Sequence, residues 1–133
     1  MQRRKFIQVS VVVTTAIVTT GISCKGRHHA FYDVLDKPVK LSGICDLNTI
    51  RNIGMNYRLQ TPAESEADKL AELLSMDSTG NKISSSTDEL IIQNLINQKI
   101  KQDFETDNTV IVNGWVLTRT EARQCALLYA INQ

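Results

Sequence analysis

Residues 109–121 read TVIVNGWVLTRTE, and this stretch decides the fold class. Two apolar runs flank Asn113 and Gly114, and both of these residues tolerate the positive φ that a type I′ turn requires. The pattern therefore predicts a β-hairpin over residues 109–117. Thr118 and Glu121 then stand at the spacing of a capping box, which predicts that a helix begins directly after the second strand. A two-stranded hairpin is marginally stable alone, so we expect it to pack on helices.

Two helices are predicted before this hairpin from capping signals and apolar periodicity. Asp46 is an N-cap candidate for the first helix, which continues with helical spacing to Tyr57. Gly54 lies inside that pattern, where it costs about 1 kcal/mol relative to Ala, and we interpret it as a point of close approach by another helix. A second helix is predicted to begin with Thr61 as its cap and Glu64 closing a capping box, and to run through Leu74.

A third helix is predicted from Ser86, with Glu89 completing the capping box, to about Glu105. Its expected buried face comprises Leu90, Ile91, Leu95, Ile96, Ile100 and Phe104. The last helix should bury Ala122, Cys125, Ala126 and Tyr129. We therefore predict a mainly α domain over residues 45–133, with about four helices and one C-terminal β-hairpin.

The first 23 residues predict an export signal. Arg3 and Arg4 are followed by one spacer and Phe6, which resembles the twin-arginine (Tat) pattern S/T-R-R-x-F-L-K. The apolar run after it is diluted by threonines and is short for a spanning helix, which needs about 20 mainly apolar residues. The resemblance implies export across the bacterial inner membrane in the folded state, often together with a bound cofactor or partner.

The segment after the signal, residues 24–44, is predicted to be a tether. GISC at residues 21–24 resembles a lipobox, which implies lipidation of Cys24 and a periplasmic protein anchored to the membrane by its lipid. The alternative is soluble release after a cut nearby. The tether has no clear periodicity, although Phe31, Leu35 and Leu41 are among apolar residues that could dock part of it onto the domain.

Composition and charge exclude several classes of function. Fifteen basic and fourteen acidic residues nearly balance, and three of the basic ones lie in the signal, so no basic face for nucleic acid is expected. Aromatic residues make up only 5% of the chain, which argues against a base-stacking surface. His28 and His29, the only histidines, lie in the tether. We expect no catalytic residues, no cofactor and no metal site.

Cysteine usage leaves two interpretations. With Cys24 assigned to lipid, Cys45 and Cys125 remain. An oxidising periplasm would permit a disulfide between them, or both are small buried residues of the core.

The C-terminal stretch also resembles a known family. Residues 113–127, NGWVLTRTEARQCAL, after Asp103 and Phe104, are similar to small bacterial Tat-signal proteins and lipoproteins that carry a C-terminal GW-[VL]-L-[ST]-RTEAR motif. IGxxY at residues 53–57 and PxE at residues 62–64 belong to the same pattern. The resemblance covers most of the mature domain and implies no particular activity.

Trp115, Arg119 and Arg123 are the candidate functional residues of this motif. An aromatic anchor beside two guanidinium groups would suit a protein partner or a carboxylate or phosphate ligand. In the structural alternative, Trp115 packs the hairpin on the helices and the arginines pair with Glu121 or solvent.

Three functions are weighed on this basis. The first is a non-catalytic accessory or escort subunit, or interaction protein, whose partner would be a larger Tat-cotransported enzyme such as an oxidoreductase. The second is a self-contained envelope lipoprotein that binds a small anionic ligand or a protein partner. The third is a small enzyme of unrecognised type, which the absence of a catalytic constellation in the sequence disfavours.

Overall fold

The computed structural model describes residues 31–133, which are mainly helical with one antiparallel hairpin near the C-terminus. The helices are α1 (Val39–Ser42), α2 (Leu47–Gln60), α3 (Ala67–Leu74), α4 (Glu89–Glu105) and α5 (Arg119–Ile131), and the strands are β1 (Thr109–Val112) and β2 (Trp115–Thr118). The predicted fold class is confirmed. The predicted export signal (Arg3, Arg4 and Phe6) and the lipidation site at Cys24 lie outside the described residues.

The hairpin and the helix that follows it form as the sequence predicts. Asn113 and Gly114 both have positive φ, at 52° and 80°, as a type I′ turn requires. The strands pair in register, with Val112 opposite Trp115 and Ile111 opposite Val116. The Thr118 side chain accepts from the backbone amide of Glu121, and the Glu121 carboxylate accepts from the amide of Thr118. This capping box links β2 directly to α5.

Helix α5 occupies the centre of the core and packs mainly against α2. Ala122, Cys125, Ala126 and Leu127 are fully buried on α5. On α2, a Cβ added to Gly54 would lie 2.1 Å from the carbonyl oxygen of Cys125. The two helices therefore touch through their backbones, and the predicted close approach at Gly54 is confirmed. Asp46 caps α2 as predicted.

The predicted start of the second helix is wrong. Pro62–Glu64 forms a 3₁₀ turn, and α3 begins at Ala67 with Glu66 as its N-cap. Thr61 makes no side-chain capping bond. The physical reason is that the Glu64 carboxylate, which would have closed the capping box, binds Arg123 instead.

Helix α4 differs from the prediction in its cap and its buried face. Asp88, not Ser86, caps it by accepting from the Leu90 amide. The buried residues are Ile92, Ile96, Ile100 and Asp103. Leu90, Ile91 and Phe104, which we expected inside, are exposed. The buried face of α4 therefore differs from the predicted one, because the buried Asp103 carboxylate binds the first turn of α5.

Part of the predicted tether belongs to the folded domain. Residues 31–35 are helical, and α1 follows at Val39. Leu35 and Leu41 are buried in the same core as α2 and α5, and Tyr32 donates a hydrogen bond of 2.6 Å to Asp68 of α3. The compact unit thus begins by Phe31, earlier than the boundary at residue 45 that the sequence suggested. Burial of its apolar side chains stabilises this segment on the domain, although its sequence has no clear helical periodicity.

Candidate functional site

Side chains from α2 and α5 gather around one carboxylate, that of Glu64 in the 3₁₀ turn. Arg123 binds it in a bidentate manner, with Nη2 2.7 Å from Oε1 and Nε 3.1 Å from Oε2. The Tyr57 hydroxyl donates to Oε2 of the same carboxylate. Arg119 Nη1 donates to the Tyr57 hydroxyl at 3.4 Å. We call these four residues, Tyr57, Glu64, Arg119 and Arg123, the clamp.

The clamp is largely shielded from solvent. The side chains of Glu64 and Arg123 are 15% and 17% exposed, and Tyr57 is fully buried. Burial pushes the pKa of Glu64 upward, but hydrogen bonds from Arg123 and Tyr57 and the Arg123 charge outweigh it and hold that pKa below its usual value. Burial and the hydrogen bond to Glu64 raise the pKa of Tyr57. The clamp therefore holds a fixed carboxylate and a neutral phenol at neutral pH.

A second polar cluster extends the clamp to the end of α4. Asp103 Oδ2 accepts from the Thr120 amide at 2.9 Å and from the Thr120 hydroxyl at 2.6 Å. Its Oδ1 accepts from Asn108 Nδ2 at 3.0 Å, and Asn108 Oδ1 accepts from Arg119 Nε at 3.2 Å. A buried carboxylate at a helix N-terminus satisfies its free amides and complements its dipole. These bonds fix the N-terminus of α5 against the C-terminus of α4.

Three short sequence motifs singled out in the sequence analysis meet around α5. The IGxxY motif supplies Gly54 and Tyr57, the PxE motif supplies Glu64, and the RTEAR motif supplies both arginines and the capping box. Sequence reasoning singled out the arginines but missed Glu64 and Tyr57 as their partners. The signal that could have found them is the co-occurrence of the three motifs in one pattern.

Trp115, the third predicted site residue, makes no hydrogen bond to the clamp among the residues that the structure describes. It stands opposite Val112 beside the hairpin turn and is half-buried against the core. Within residues 31–133, no cation–π contact joins it to either arginine. The structure therefore brings Arg119 and Arg123 together with Glu64, and gives Trp115 a packing role on the inner face of the hairpin.

The outer face of the hairpin presents an apolar pair to solvent. Ile111 and Val116 stand opposite each other across the strands, and each is 66% exposed. Facing pairs in an antiparallel ribbon have Cβ atoms about 5 Å apart, so the two side chains form one patch. The sheet has two strands, and within the described residues each strand therefore keeps one edge without a partner strand.

Both cysteines of the described domain are free thiols. Cys45 is half-buried and its Sγ donates to the carbonyl oxygen of Leu41 at 3.2 Å. Cys125 is fully buried, and burial raises the pKa of its thiol to about 12. Neither thiol has the lowered pKa that makes a cysteine a nucleophile at neutral pH.

Among residues 31–133, no group of three or more His, Cys, Asp or Glu side chains is placed to hold a metal ion. None of the helices described there is long and apolar enough to cross a membrane.

Comparisons of the chain with protein-family models, with curated proteins and with solved structures find no match.

Proposed function

We propose that this protein is a non-catalytic exported interaction protein, an accessory or escort subunit that binds a larger protein through the outer face of its hairpin. The observation that carries this proposal is the exposed Ile111–Val116 pair. Exposed apolar side chains scattered singly are ordinary, but a facing pair on a ribbon with free edges suits strand addition or apolar docking.

The internal position of the clamp supports the same proposal. Arg123 already has its bidentate carboxylate in Glu64, and truncating either partner would leave a buried charge without its counterion. The charged groups that could have performed acid–base chemistry are held in fixed protonation states by these contacts. The chemistry-bearing residues of the motif thus serve the fold, which leaves the apolar hairpin face as the surface for recognition.

The alternative function is a self-contained envelope lipoprotein that binds a small anionic ligand through Trp115, Arg119 and Arg123. This arrangement is less favourable because the Arg123 guanidinium is occupied by Glu64 and Trp115 has no cation–π contact with either arginine within residues 31–133. Arg119 is the more available of the two arginines, since among residues 31–133 it has no carboxylate partner and donates only to Asn108 Oδ1 at 3.2 Å and to the Tyr57 hydroxyl at 3.4 Å.

The proposed compartment follows from the N-terminal sequence. Export by Arg3, Arg4 and Phe6, and attachment by lipid on Cys24, would place the domain in the periplasm at the membrane surface. A folded-export signal on a small domain suggests that the domain is transported together with a bound partner. We propose that the partner is a larger protein without an export signal of its own.

Co-purification from the native bacterium tests this function. The wild-type chain should recover a stoichiometric larger protein whose own sequence has no export signal. The Ile111→Thr/Val116→Thr variant keeps β-branched residues in the strands and should lose that protein. The Leu90→Gln/Ile91→Gln variant removes an exposed apolar pair from α4 and should retain it. Recovery of the wild-type chain alone from membranes would contradict the proposal.

A further inference from the structure

An open groove is formed by the C-terminal part of α2, residues 62–65 and the end of α5. Its volume is about 350 Å³. Six of the residues that line it carry the argument below: Met55, Arg58, Leu59, Pro62, Ser65 and Tyr129. The groove contains no residue of the clamp and none of the hairpin, so it is a separate feature of the domain.

The guanidinium of Arg58 is held between two walls of this groove. Its Cζ atom lies 5.4 Å from the ring centroid of Tyr129, a distance that is typical of a cation–π contact. Its Nε donates to the carbonyl oxygen of Ser65 at 2.6 Å. Because Tyr129 and Ser65 both line the groove, these two contacts place the guanidinium at the groove and restrict its orientation.

The two Nη groups of Arg58 remain available to a ligand. Among residues 31–133, they have no hydrogen-bond acceptor and no carboxylate within ion-pair distance. Neither Nη atom is buried, since Gln124 Oε1 is the only side-chain polar atom of the described domain that is both buried and without a partner. The paired N–H groups of a guanidinium match the two oxygens of a carboxylate. The groove therefore offers a pre-positioned donor pair for a carboxylate.

The other walls indicate what this carboxylate would be attached to. Met55, Leu59 and Pro62 contribute apolar side chains, and Tyr129 contributes its ring. None of the described residues that line the groove is Asp or Glu. Pockets for small molecules are mostly apolar and have volumes of about 300–1,000 Å³. At about 30 Å³ per heavy atom, the share of one water molecule in the liquid, this groove holds roughly ten heavy atoms.

We propose that this groove binds a small apolar monocarboxylate of roughly ten heavy atoms. Its carboxylate accepts from the Nη groups of Arg58, and its hydrocarbon body lies against Met55, Leu59 and Tyr129. None of these residues belongs to the anion site of the alternative function. The site also uses no residue of the proposed partner surface, so either proposal can fail without the other.

NMR titration of the purified full chain tests the site with three matched probes. Octanoate carries both the apolar body and the carboxylate, octanamide keeps the body without the charge, and acetate keeps the charge without the body. We expect octanoate to shift the Tyr129 ring signals and the Arg58 Nε–H signal in a saturable way, with a dissociation constant of about 1 mM or lower. Octanamide should bind at least about tenfold more weakly because it loses the charge-assisted hydrogen bonds. Acetate should also bind at least about tenfold more weakly, because it buries almost no apolar surface.

Arginine variants on one helix separate this site from unspecific charge attraction. Arg58→Met removes the guanidinium and keeps an unbranched apolar side chain, so it should weaken octanoate binding about tenfold or more. The same variant should leave octanamide binding within about threefold, because the apolar walls remain. Arg51→Met removes an exposed charge elsewhere on α2 and should leave octanoate binding within about twofold.

The comparison of probes on the wild-type chain decides the matter even if Arg58→Met does not fold. Equal binding of octanoate and octanamide by the wild-type chain would overturn the proposal. So would equal effects of Arg58→Met and Arg51→Met on octanoate binding, or the absence of a saturable shift at Tyr129 and Arg58.

Discussion

Gly54 lies directly against the main chain of Cys125, so that a Cβ on Gly54 would be 2.1 Å from the Cys125 carbonyl oxygen and 2.6 Å from its carbonyl carbon. In an isolated helix, Gly→Ala would be stabilising by about 1 kcal/mol. Here the neighbour is backbone, which cannot move without separating α2 from α5. We therefore predict that Gly54→Ala destabilises the domain by about 3 kcal/mol, measured by urea unfolding.

Gly43 offers the matched control for this substitution. A Cβ there would lie 3.5 Å from the Lys40 carbonyl oxygen, an ordinary contact, and its φ of −80° suits any residue. Gly43→Ala should therefore leave the free energy of unfolding unchanged or raise it by up to about 1 kcal/mol. Equal effects of the two substitutions would contradict the close approach of α2 and α5.

The Glu64–Arg123 pair is predicted to be coupled in the free energy of unfolding. Removing one partner leaves a shielded charge without its counterion, so Glu64→Gln and Arg123→Met should each destabilise by about 2 to 4 kcal/mol. The double variant should lose less than the sum, with a coupling energy above about 1 kcal/mol. Lys101→Ala at the exposed Lys101–Glu105 pair should change the unfolding free energy by less than about 0.5 kcal/mol.

The pH dependence of stability should report the ionised state of Glu64. Its pKa in the folded domain is lower than in the unfolded chain, so the unfolded state binds the proton first as the pH falls. Its contribution is therefore complete above the ordinary Glu pKa of about 4.3 and is lost as the pH falls through the lower folded value. Urea unfolding of wild type and Glu64→Gln from pH 7 to about pH 2.5 should show a shallower acid loss in the variant. Parallel curves would contradict the clamp.

Thiol reactivity should distinguish the two cysteines of the domain. In a Cys24→Ser background, a disulfide exchange reagent should modify Cys45 in the native protein, because that side chain is half-exposed. Cys125 should react at least about a hundredfold more slowly until urea unfolds the chain, since the reactive thiolate requires opening of the core. A Cys45–Cys125 linked peptide from the non-reduced protein would contradict the free thiols and support the disulfide alternative.

Local chemistry explains which parts of the fold were predictable from sequence. The positive φ of Asn113 and the capping box of Thr118 depend on neighbouring residues alone, and both were predicted correctly. Gly54 was also interpreted correctly, because a glycine inside a helical pattern has few other uses. The order in which distant elements pack is not a local property.

Two of the errors share one physical cause, which is the binding of a polar side chain by a partner distant in sequence. Glu64 was predicted to cap its own helix, but its carboxylate binds Arg123, which lies 59 positions away in sequence. Because Leu90, Ile91 and Ile92 are consecutive apolar residues, the sequence did not determine which of them faces the core. In the structure, Asp103 accepts a hydrogen bond from Thr120, 17 positions away, and this contact orients α4.

The central claim is that the motif arginines act inside the domain and that the hairpin face acts outside it. Its most direct test is the amount of larger partner recovered per mole of folded protein from native membranes, compared among wild type, Ile111→Thr/Val116→Thr and Arg119→Met. The claim predicts that the hairpin variant remains as stable as wild type to within about 1 kcal/mol but loses the partner, whereas Arg119→Met is less stable yet retains the partner on every folded molecule. Loss of the partner from folded Arg119→Met, with full recovery by the hairpin variant, would contradict the claim.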